Sequence, residues 1–231
     1  MPSVDIWHLA FSDASGSSDS FKEAMETLNL EEQAKAKAFV KEEDREKYIV
    51  SHLFLRKVLS RYFPNISPKE WCFEKNRYGK PHLHAKHGIT FHFNLSHSES
   101  HVYMICSEQY LCGIDVEESK NMPLSEGVSA LLFSEEESLV YKSLSEKDKV
   151  RMFYLYWTLK EAHLKALGSG LMELELSTLN FEPFVKLYID ENHFKSRHHQ
   201  YGSYCLGEGA FLSFCLLDSE EMIHPKYFFS L

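Results

Sequence analysis

The feature that most constrains this chain is a long amphipathic segment in its second half. Residues 153–167 carry apolar side chains at helical spacing, contain no proline or glycine, and are followed by Gly168. Because glycine readily adopts the left-handed conformation that ends a helix, the pattern predicts a helix that stops at Gly168. Glu161 and Lys165 lie four residues apart and project from one face. On their own, they would form a solvated ion pair that contributes about 0.2–0.5 kcal/mol.

A second motif, Gly-Ile-Asp-Val-Glu at residues 113–117, follows an apolar run at residues 102–106 and has the pattern of a strand. On a strand, Asp115 and Glu117 point to one face, while the aliphatic residues beside them point to the other. Two neighbouring carboxylates repel each other unless a cation lies between them, and an oxygen-only site suits Mg²⁺. Glu161 could supply a third carboxylate. Taken alone, a pair of this spacing is more often ordinary edge-strand surface.

The rest of the chain has the pattern of a mixed α+β protein. Strand patterns occur at residues 4–10, 71–74, 92–95 and 102–106, and helical patterns at residues 30–40 and 42–63. A shift of 104 positions places Leu55-Arg56 on Leu159-Lys160 and superposes the two long helices. A repeat of this size predicts two similar α+β subdomains with a functional site between them.

Composition excludes several classes of protein. The net charge is −9 and no basic stripe is present, which argues against a nucleic-acid-binding protein. The five cysteines lack Cys-x-x-Cys spacing and are typical of a reduced cytoplasmic protein. No apolar run is long enough to span a membrane, and residues 1–10 lack a signal-peptide pattern. We therefore expect a cytoplasmic protein that binds neither nucleic acid nor membrane.

Four motifs in order give the chain a resemblance to a known family. They are Tyr-Gly-Lys-Pro at residues 78–81, Phe-Asn-Leu-Ser-His-Ser at residues 93–98, the strand motif at residues 113–117, and Trp-x-x-Lys-Glu-x-x-x-Lys-x-x-Gly at residues 157–168. In this order and spacing, the chain resembles the surfactin-type (group II) 4'-phosphopantetheinyl transferases. The resemblance implies an α+β fold of two pseudo-symmetric subdomains, with the active site in the cleft between them.

The resemblance also implies a reaction. It assigns residues 1–107 to the adenine and 3'-phosphate side of coenzyme A, and residues 108–231 to magnesium binding and catalysis. The group would pass from coenzyme A to a serine hydroxyl of an apo acyl or peptidyl carrier protein, with release of 3',5'-ADP. Three carboxylates match the family's Mg²⁺ ligands: Asp115, Glu117 and Glu161. Together with Lys165 they form the expected catalytic set, and the general base would be Glu161 or a metal-bound water held by Glu117.

A further set of residues matches the family's coenzyme A contacts. The set comprises Lys35, Lys47, Tyr78, Gly79, Lys80, Pro81, Ser96, His97, Lys160 and Lys165. Ser96 and His97 would contact the phosphates of coenzyme A, and the turn at residues 78–81 would lie against its adenine. Within that turn, Lys80 would reach a phosphate or lie over the base. Lys160 lies about 100° around the helix from Glu161 and would contact phosphate or be solvated.

The chain departs from the family pattern where the 3'-phosphate would bind. The family's arginine position falls on Lys47, with Arg45 two residues earlier. Glu32 occupies a position that can be lysine in relatives, while Lys35 matches. Lysine offers charge without the planar fork of arginine. We therefore predict that Lys47, helped by Arg45 or Lys35, binds the 3'-phosphate with weaker discrimination against dephospho-coenzyme A.

Two other classes of function remain to be weighed. One is a catalytically silent homologue that binds coenzyme A or a carrier protein, against which the intact set of acids argues. The other is a magnesium-dependent phosphohydrolase acting on nucleotides, which the Asp-x-Glu pattern alone would allow.

The remaining expectations concern assembly and surface. A duplicated chain can complete its own site, so we expect a monomer. A carrier protein would dock near Met122, Leu124 and Val128. Adjacent His198 and His199 are expected in a polar loop at residues 195–202 and not in a metal site.

Overall fold

The computed structural model describes residues 3–14, 18–119, 129, 131–170, 176–182, 184–187 and 189–228. The strands are β1 (Val4–Ala10), β2 (Phe73–Lys75), β3 (Pro81–Leu83), β4 (His92–His97), β5 (His101–Ser107), β6 (Cys112–Glu118), β7 (Glu191–Ser196), β8 (His199–Leu206), β9 (Ala210–Leu216) and β10 (Lys226–Phe228). The helices are α1 (Ser18–Thr27), α2 (Leu30–Ala38), α3 (Glu42–Tyr62), α4 (Glu135–Ser143) and α5 (Glu146–Leu167). This mixture of helices and sheets confirms the predicted α+β class.

The strands form two larger sheets and one small hairpin. One sheet has the order β10-β1-β5-β4, the other has the order β6-β9-β8-β7, and β2 pairs with β3. All neighbouring strands are antiparallel except β1 and β10. The runs β1-β5-β4 and β6-β9-β8 have the same order, and a short helix followed by a long one accompanies each run. The two halves of the chain therefore repeat one arrangement of elements.

The two halves are nevertheless joined in one structure. The predicted boundary between residues 107 and 108 falls in the connection from β5 to β6. β10, near the end of the chain, pairs with β1 in the first sheet. Val4, Ile105 and Ile114 lie in one buried cluster that belongs to both larger sheets. The division of the chain into two units stays a proposal.

Helix α5 begins earlier than its apolar pattern predicted. It starts at Glu146, where Ser145 Oγ accepts a hydrogen bond from the Asp148 N–H at 3.3 Å. Its first two turns carry mostly charged side chains, so apolar spacing could not reveal them. The predicted end is confirmed, because Gly168 has φ 68° and its N–H bonds to the Leu164 carbonyl.

Each long helix covers one of the larger sheets. Phe54 and Val58 of α3 are buried with Phe93 and Met104 of the first sheet. Leu155 and Leu159 of α5 are buried with aromatic residues of β8 and β9, Tyr201 and Phe211. Burial of one such side chain contributes about 1.5–3 kcal/mol, so these contacts hold each helix on its sheet.

A buried ion pair ties each short helix to the long helix that follows it. In the first half, Glu32 contacts Arg56, whose side chain is fully buried. In the second half, Glu137 Oε2 lies 2.5 Å from Lys160 Nζ, and both side chains are fully buried. Each glutamate also closes the capping box at the N-terminus of its own helix. A buried ion pair whose glutamate also closes a capping box therefore occurs once in each half.

Lys160 is a structural residue and not a phosphate ligand. Its Nζ donates to the Leu132 carbonyl at 2.7 Å as well as to Glu137. Burial lowers the pKa of Lys160, although the charge of Glu137 opposes that shift. The expectation that Lys160 contacts phosphate or solvent was wrong, because its face of α5 packs against the segment before α4.

The predicted polar loop at residues 195–202 was also wrong. These residues form the hairpin between β7 and β8, which turns at Arg197 with φ 58°. Non-glycine residues rarely adopt this conformation, so the turn had no sequence signal. His199 begins β8, and its ring lies 5.5 Å from the ring of His163.

Two other expectations concern the docking surface for a carrier protein and the membrane. Met122, Leu124 and Val128, the residues expected near a docked carrier protein, lie outside the described residues. Across the ranges that the structure describes, no helix has the length and apolar character needed to cross a membrane.

Replacing Lys160 with alanine should lower the free energy of unfolding by about 3–5 kcal/mol, because Glu137 would stay buried without its cation. Urea denaturation followed by circular dichroism measures this loss. The matched control is Lys149→Ala on the same helix, whose partner Glu146 is exposed. That exposed ion pair should contribute much less than the buried pair. Equal losses in the two variants would contradict the structural role of Lys160.

Candidate active site

Strand β6 and helix α5 approach each other closely at a glycine. A Cβ atom built on Gly113 would lie 2.1 Å from the Ala162 carbonyl oxygen and 2.3 Å from the Ala166 amide nitrogen. Any side chain would collide with the helix backbone, so the contact requires glycine. It places Asp115, two residues along β6, against the helix face that carries Lys165.

Asp115 is buried at this contact, with 4% of its surface exposed. Its Oδ1 accepts hydrogen bonds from Lys165 Nζ at 2.6 Å and from Ser96 Oγ at 3.2 Å. Its Oδ2 is buried without a hydrogen-bond partner. A buried polar atom left without a partner costs about 1–3 kcal/mol, so Oδ2 is well placed to bind a ligand.

Glu161 shares this environment. Burial raises its pKa to about 7, the negative charges of Asp115 and Glu117 add to the rise, and the charge of Lys165 opposes it. Its Oε1 is buried without a hydrogen-bond partner. In the described ranges Lys165 pairs with Asp115 and forms no ion pair with Glu161. The alternative interpretation of Glu161 and Lys165 as a solvated helix pair was therefore wrong.

The three predicted metal ligands are close enough to affect each other's charge, but they are not assembled around a metal position. Among the described residues, no group of three or more His, Cys, Asp or Glu side chains could hold a metal ion. The donors nevertheless fit Mg²⁺, because Asp115 Oδ2 and Glu161 Oε1 are hard oxygen atoms that lack a partner. The magnesium site stays a prediction.

A cavity of about 550 Å³ lies between α2, α3 and the first sheet. Five of the predicted coenzyme A contacts line it: Lys35, Lys47, Gly79, Pro81 and His97. Its walls also contain residues that sequence reasoning missed: Tyr48, Ser51, His52, Leu55, Phe73, Lys75 and Leu95. Cations set among aromatic and aliphatic side chains suit a ligand with a flat ring and phosphate groups.

Several of the missed residues follow helical spacing along α3. Lys47, Ser51 and Leu55 are four residues apart, and all three line the cavity. The sequence therefore contained this stripe. Its polar members could not be told from a solvated helix face until α2 and the first sheet enclosed them.

The cavity wall also holds a buried carboxylate. Glu32 Oε1 lies 2.9 Å from His52 Nδ1, and Glu32 Oε2 contacts Arg56. Burial by itself would raise the pKa of Glu32, but hydrogen bonds from His52 and the Asn29 amide and the charge of Arg56 lower it to about 2. Glu32 is therefore ionised at neutral pH and places a negative charge in the cavity wall.

His97 lies between the cavity and the carboxylate cluster, which comprises Asp115, Glu117 and Glu161. It lines the cavity, and burial together with the positive charges of Lys165 and Lys47 lowers its pKa, with Asp115 opposing the shift. Lys47 lies on the cavity wall, whereas Lys165 and Asp115 lie in the carboxylate cluster. The imidazole therefore lies within electrostatic reach of each of them.

The cations that were predicted to bind the 3'-phosphate do not all lie in one place. Lys35 and Lys47 line the cavity, and Lys47 Nζ lies 2.6 Å from Oε1 of Glu43, which is outside the cavity lining. Arg45 pairs with Glu42 in a separate groove between α1 and α3. This placement removes Arg45 from the predicted set, because its guanidinium lies outside the cavity.

Lys80 is also placed away from its predicted role. Its Nζ donates to the carbonyls of Ala166 at 3.0 Å and Cys112 at 3.1 Å. Nearby, Asn76 Nδ2 donates to the Gly168 carbonyl at 2.7 Å. The turn therefore caps the C-terminal end of α5, where helix carbonyls lack partners within the helix. The expectation that Lys80 contacts phosphate or adenine was wrong.

Tyr78 and Ser96 differ in how far they are open to a ligand. Tyr78 is 39% exposed, stacks under Arg77 with 4.5 Å from the guanidinium carbon to the ring centre, and lies outside the cavity lining. Ser96 is buried, and its hydroxyl bonds to Asp115 and Lys165. Ser96 therefore faces the carboxylates and not the cavity, and its contact with the phosphates of coenzyme A stays a prediction.

Replacing Glu161 with glutamine should stabilise the protein most at high pH. The pKa of Glu161 is about 7 in the folded protein and 4.5 for an ordinary glutamate. Between these values the folded state binds more protons than the unfolded state, so stability falls as pH rises and the loss is complete above pH 7. With EDTA present, Glu161→Gln should melt above wild type at pH 8, and the difference should shrink toward pH 5.

Scanning fluorimetry from pH 5 to pH 9 measures these melting temperatures. Glu23→Gln, which changes an exposed carboxylate on α1, serves as the control and should track wild type. A difference between Glu161→Gln and wild type that did not change with pH would contradict the raised pKa of Glu161.

Comparison of the sequence with those of known proteins places the chain in a family. A family model described as 4'-phosphopantetheinyl transferase, N-terminal, matches residues 14–109. A second model, described as the 4'-phosphopantetheinyl transferase superfamily, matches residues 111–215. The two matches adjoin each other and together span most of the chain.

Three curated relatives agree with these matches. The 4'-phosphopantetheinyl transferase HetI of Nostoc sp. is 34% identical over 154 residues, which are 64% of this chain and 63% of HetI. Gsp of Aneurinibacillus migulanus is 28% identical over 166 residues, 71% of this chain and 62% of Gsp. Sfp of Bacillus subtilis is 31% identical over 151 residues, 64% of this chain and 63% of Sfp. The chain spans less than two thirds of the length of each relative, and it belongs to the 4'-phosphopantetheinyl transferase superfamily.

Proposed function

We propose that this protein transfers the 4'-phosphopantetheine group of coenzyme A to a serine hydroxyl of an apo acyl or peptidyl carrier protein and releases 3',5'-ADP. The observation that carries the proposal is the pair of buried Asp115 and half-buried Lys165, which His97 links to a cavity lined by lysines, carboxylates and aromatic rings. Such a cavity suits a nucleotide, and a carboxylate–lysine pair near it suits a phosphoryl group in transfer.

The cavity would hold the nucleotide end of coenzyme A. Lys35, Lys47 and Lys75 supply positive charge on its wall, and Tyr48 and Phe73 supply aromatic surface for adenine. The protein as a whole carries a net charge of −9. Three carboxylates, Glu31, Glu32 and Asp44, line the same cavity, so an anionic substrate depends on direct contacts with individual lysines.

The transfer joins the serine oxygen to the β-phosphorus of coenzyme A and breaks the bond from that phosphorus to the bridging pyrophosphate oxygen. Lys165 lies beside Asp115, where its ammonium would balance the negative charge that develops on the leaving oxygen. Magnesium held by Asp115, Glu117 and Glu161 would add charge neutralisation at the pyrophosphate. The serine proton must pass to a base on the protein.

Glu161 is the proposed general base. Without a metal, burial and the charges of Asp115 and Glu117 raise its pKa to about 7, which makes its carboxylate a stronger base than an ordinary glutamate, whereas a bound Mg²⁺ would lower this pKa. A metal-bound water held by Glu117 is the alternative base.

The proposed partners follow from the reaction. They are coenzyme A and an apo carrier protein, and neither nucleic acid nor membrane is proposed. A chain of two similar halves can complete its own site, so the proposed state is a monomer, and the proposed location is the cytoplasm.

Incubation of the protein with apo carrier proteins, coenzyme A and Mg²⁺ should add the mass of one phosphopantetheine to a carrier, and EDTA should prevent the gain. Intact-protein mass spectrometry measures it. Asp115→Ala should abolish the gain, because it removes a metal ligand and the partner of Lys165. Asp190→Ala, which changes an exposed aspartate in the same half, should transfer as wild type does.

Two outcomes would contradict the proposed transfer. Binding of coenzyme A without a mass gain on any carrier protein would favour the silent homologue. Loss of coenzyme A in the absence of carrier protein would favour the phosphohydrolase.

Replacing Lys47 with alanine should lower the preference for coenzyme A over dephospho-coenzyme A by about tenfold, since a hydrogen bond between charged groups contributes about 1.5–3 kcal/mol. Steady-state kinetics with the two donors gives the ratio of their kcat/KM values. Arg45→Ala is the matched control, because Arg45 lies outside the cavity and should leave the ratio unchanged. A constant ratio in Lys47→Ala would remove Lys47 from the 3'-phosphate site.

A further inference from the structure

An ion pair joins two walls of the 550 Å³ cavity. Lys75 Nζ, on β2, donates to Glu31 Oε1, on α2, at 2.9 Å, although the two residues are 44 positions apart in the sequence. Both residues line the cavity. The Glu31 side chain is 80% exposed and the Lys75 side chain is 48% exposed. The pair therefore lies where the cavity opens to solvent.

The backbone that carries Lys75 is fixed in place. Lys75 pairs with Pro81 at the end of the β2–β3 hairpin. The turn between these strands is bonded to the C-terminal end of α5, where Asn76 Nδ2 donates to the Gly168 carbonyl at 2.7 Å. The lysine side chain, in contrast, is long, flexible and exposed. Its ammonium can therefore exchange one anionic partner for another without movement of the hairpin.

The Glu31 carboxylate lies among cations. Glu31 and Lys35 are one turn apart on α2, so they project from the same face, and both line the cavity. Lys75 approaches Glu31 from the opposite wall. The next residue, Glu32, is buried and is tied to Arg56 instead. Glu31 therefore occupies a place between two lysines that attracts an anion.

The contact between Glu31 and Lys75 costs little to break. An exposed ion pair contributes little to stability, because water solvates both charges. A phosphate monoester carries a charge of about −1.5 to −2 near neutral pH and has three strong acceptor oxygens. It should therefore bind an ammonium group more strongly than a single carboxylate does. A phosphate group that entered this place would displace Glu31 from Lys75.

We propose that Lys75 is a specificity-determining residue that binds the 3'-phosphate of the nucleotide together with Lys47, and that Glu31 competes with this phosphate for Lys75. The inference rests on the proposed binding of coenzyme A in the cavity. The pyrophosphate must lie toward His97 and Asp115, where transfer takes place, so the cations at the opening are left for the 3'-phosphate. Binding breaks the contact between Glu31 and Lys75, forms one between Lys75 Nζ and a phosphate oxygen, and changes no covalent bond.

The test measures binding of two nucleotides to the whole chain by isothermal titration calorimetry, without carrier protein. One is 3',5'-ADP, the proposed product, and the other is 5'-AMP, which lacks the 3'-phosphate. Lys75→Ala should weaken binding of 3',5'-ADP by about tenfold, as expected for loss of a hydrogen bond between charged groups, and leave binding of 5'-AMP close to wild type. Glu31→Gln should strengthen binding of 3',5'-ADP by about two- to fivefold, because the competing carboxylate is removed.

The double variant Glu31→Gln/Lys75→Ala separates exchange of partners from general attraction. If Glu31 acts through Lys75, its removal brings little gain once Lys75 is absent, so the double variant should bind 3',5'-ADP nearly as Lys75→Ala does. The matched control is Lys37→Ala, which removes an exposed cation of α2 that lies outside the cavity lining. This control should bind both nucleotides as wild type does.

Three results would overturn the inference. The first is unchanged affinity for 3',5'-ADP in Lys75→Ala, or an equal loss for the two nucleotides, since either would separate Lys75 from the 3'-phosphate. The second is an equal gain from Glu31→Gln with and without Lys75, because the gain would then report only the loss of a negative charge. The third is an equal loss in Lys37→Ala.

The proposed function is tested separately. If the variants bind the two nucleotides as expected but the wild-type protein transfers no phosphopantetheine, the proposed transfer is overturned and the role of Lys75 remains. If the wild-type protein binds neither nucleotide, the cavity is not the coenzyme A site, and the inference is overturned with it.

Discussion

The close approach of β6 to α5 at Gly113 is the contact on which the candidate site depends. A Cβ atom at this position would lie 2.1 Å from a backbone oxygen of the helix, so the spacing between the two elements exists only because the residue is glycine. That spacing brings Asp115 to 2.6 Å from Lys165 and near Glu161. Burial of the carboxylates then follows from the packing, and so does the raised pKa of Glu161.

Polar contacts inside the protein hold the surrounding framework. The Glu32–Arg56 and Glu137–Lys160 pairs fix each short helix against its long helix. Removal of one partner from such a pair leaves a buried charge, which makes the arrangement intolerant of change. Two lysines near the site, Lys160 and Lys80, have structural roles. The cations left on the cavity wall are those of α2, α3 and β2.

A single strand, β4, lies between the cavity and the carboxylate cluster. β4 lies at the edge of the first sheet, with Leu95 and His97 toward the cavity and Asn94 and Ser96 toward β6. A nucleotide bound in the cavity and a phosphoryl group near Asp115 would therefore lie on opposite faces of a rigid element. This explains why the motif alternates apolar or aromatic residues with small polar ones.

The sequence alone determined the α+β class, both long helices, the end of α5 at Gly168, the strand that carries Asp115, and the family. These features depend on local periodicity, on glycine conformation and on the order of motifs, all of which are visible along one chain. Tertiary structure decided the rest. Lys160 and Lys80 resembled ligand contacts in sequence, but a polar side chain on a helix or turn can face solvent, ligand or protein. Only the packing of distant elements chose among these, since burial leaves a polar group no alternative to a partner within the protein.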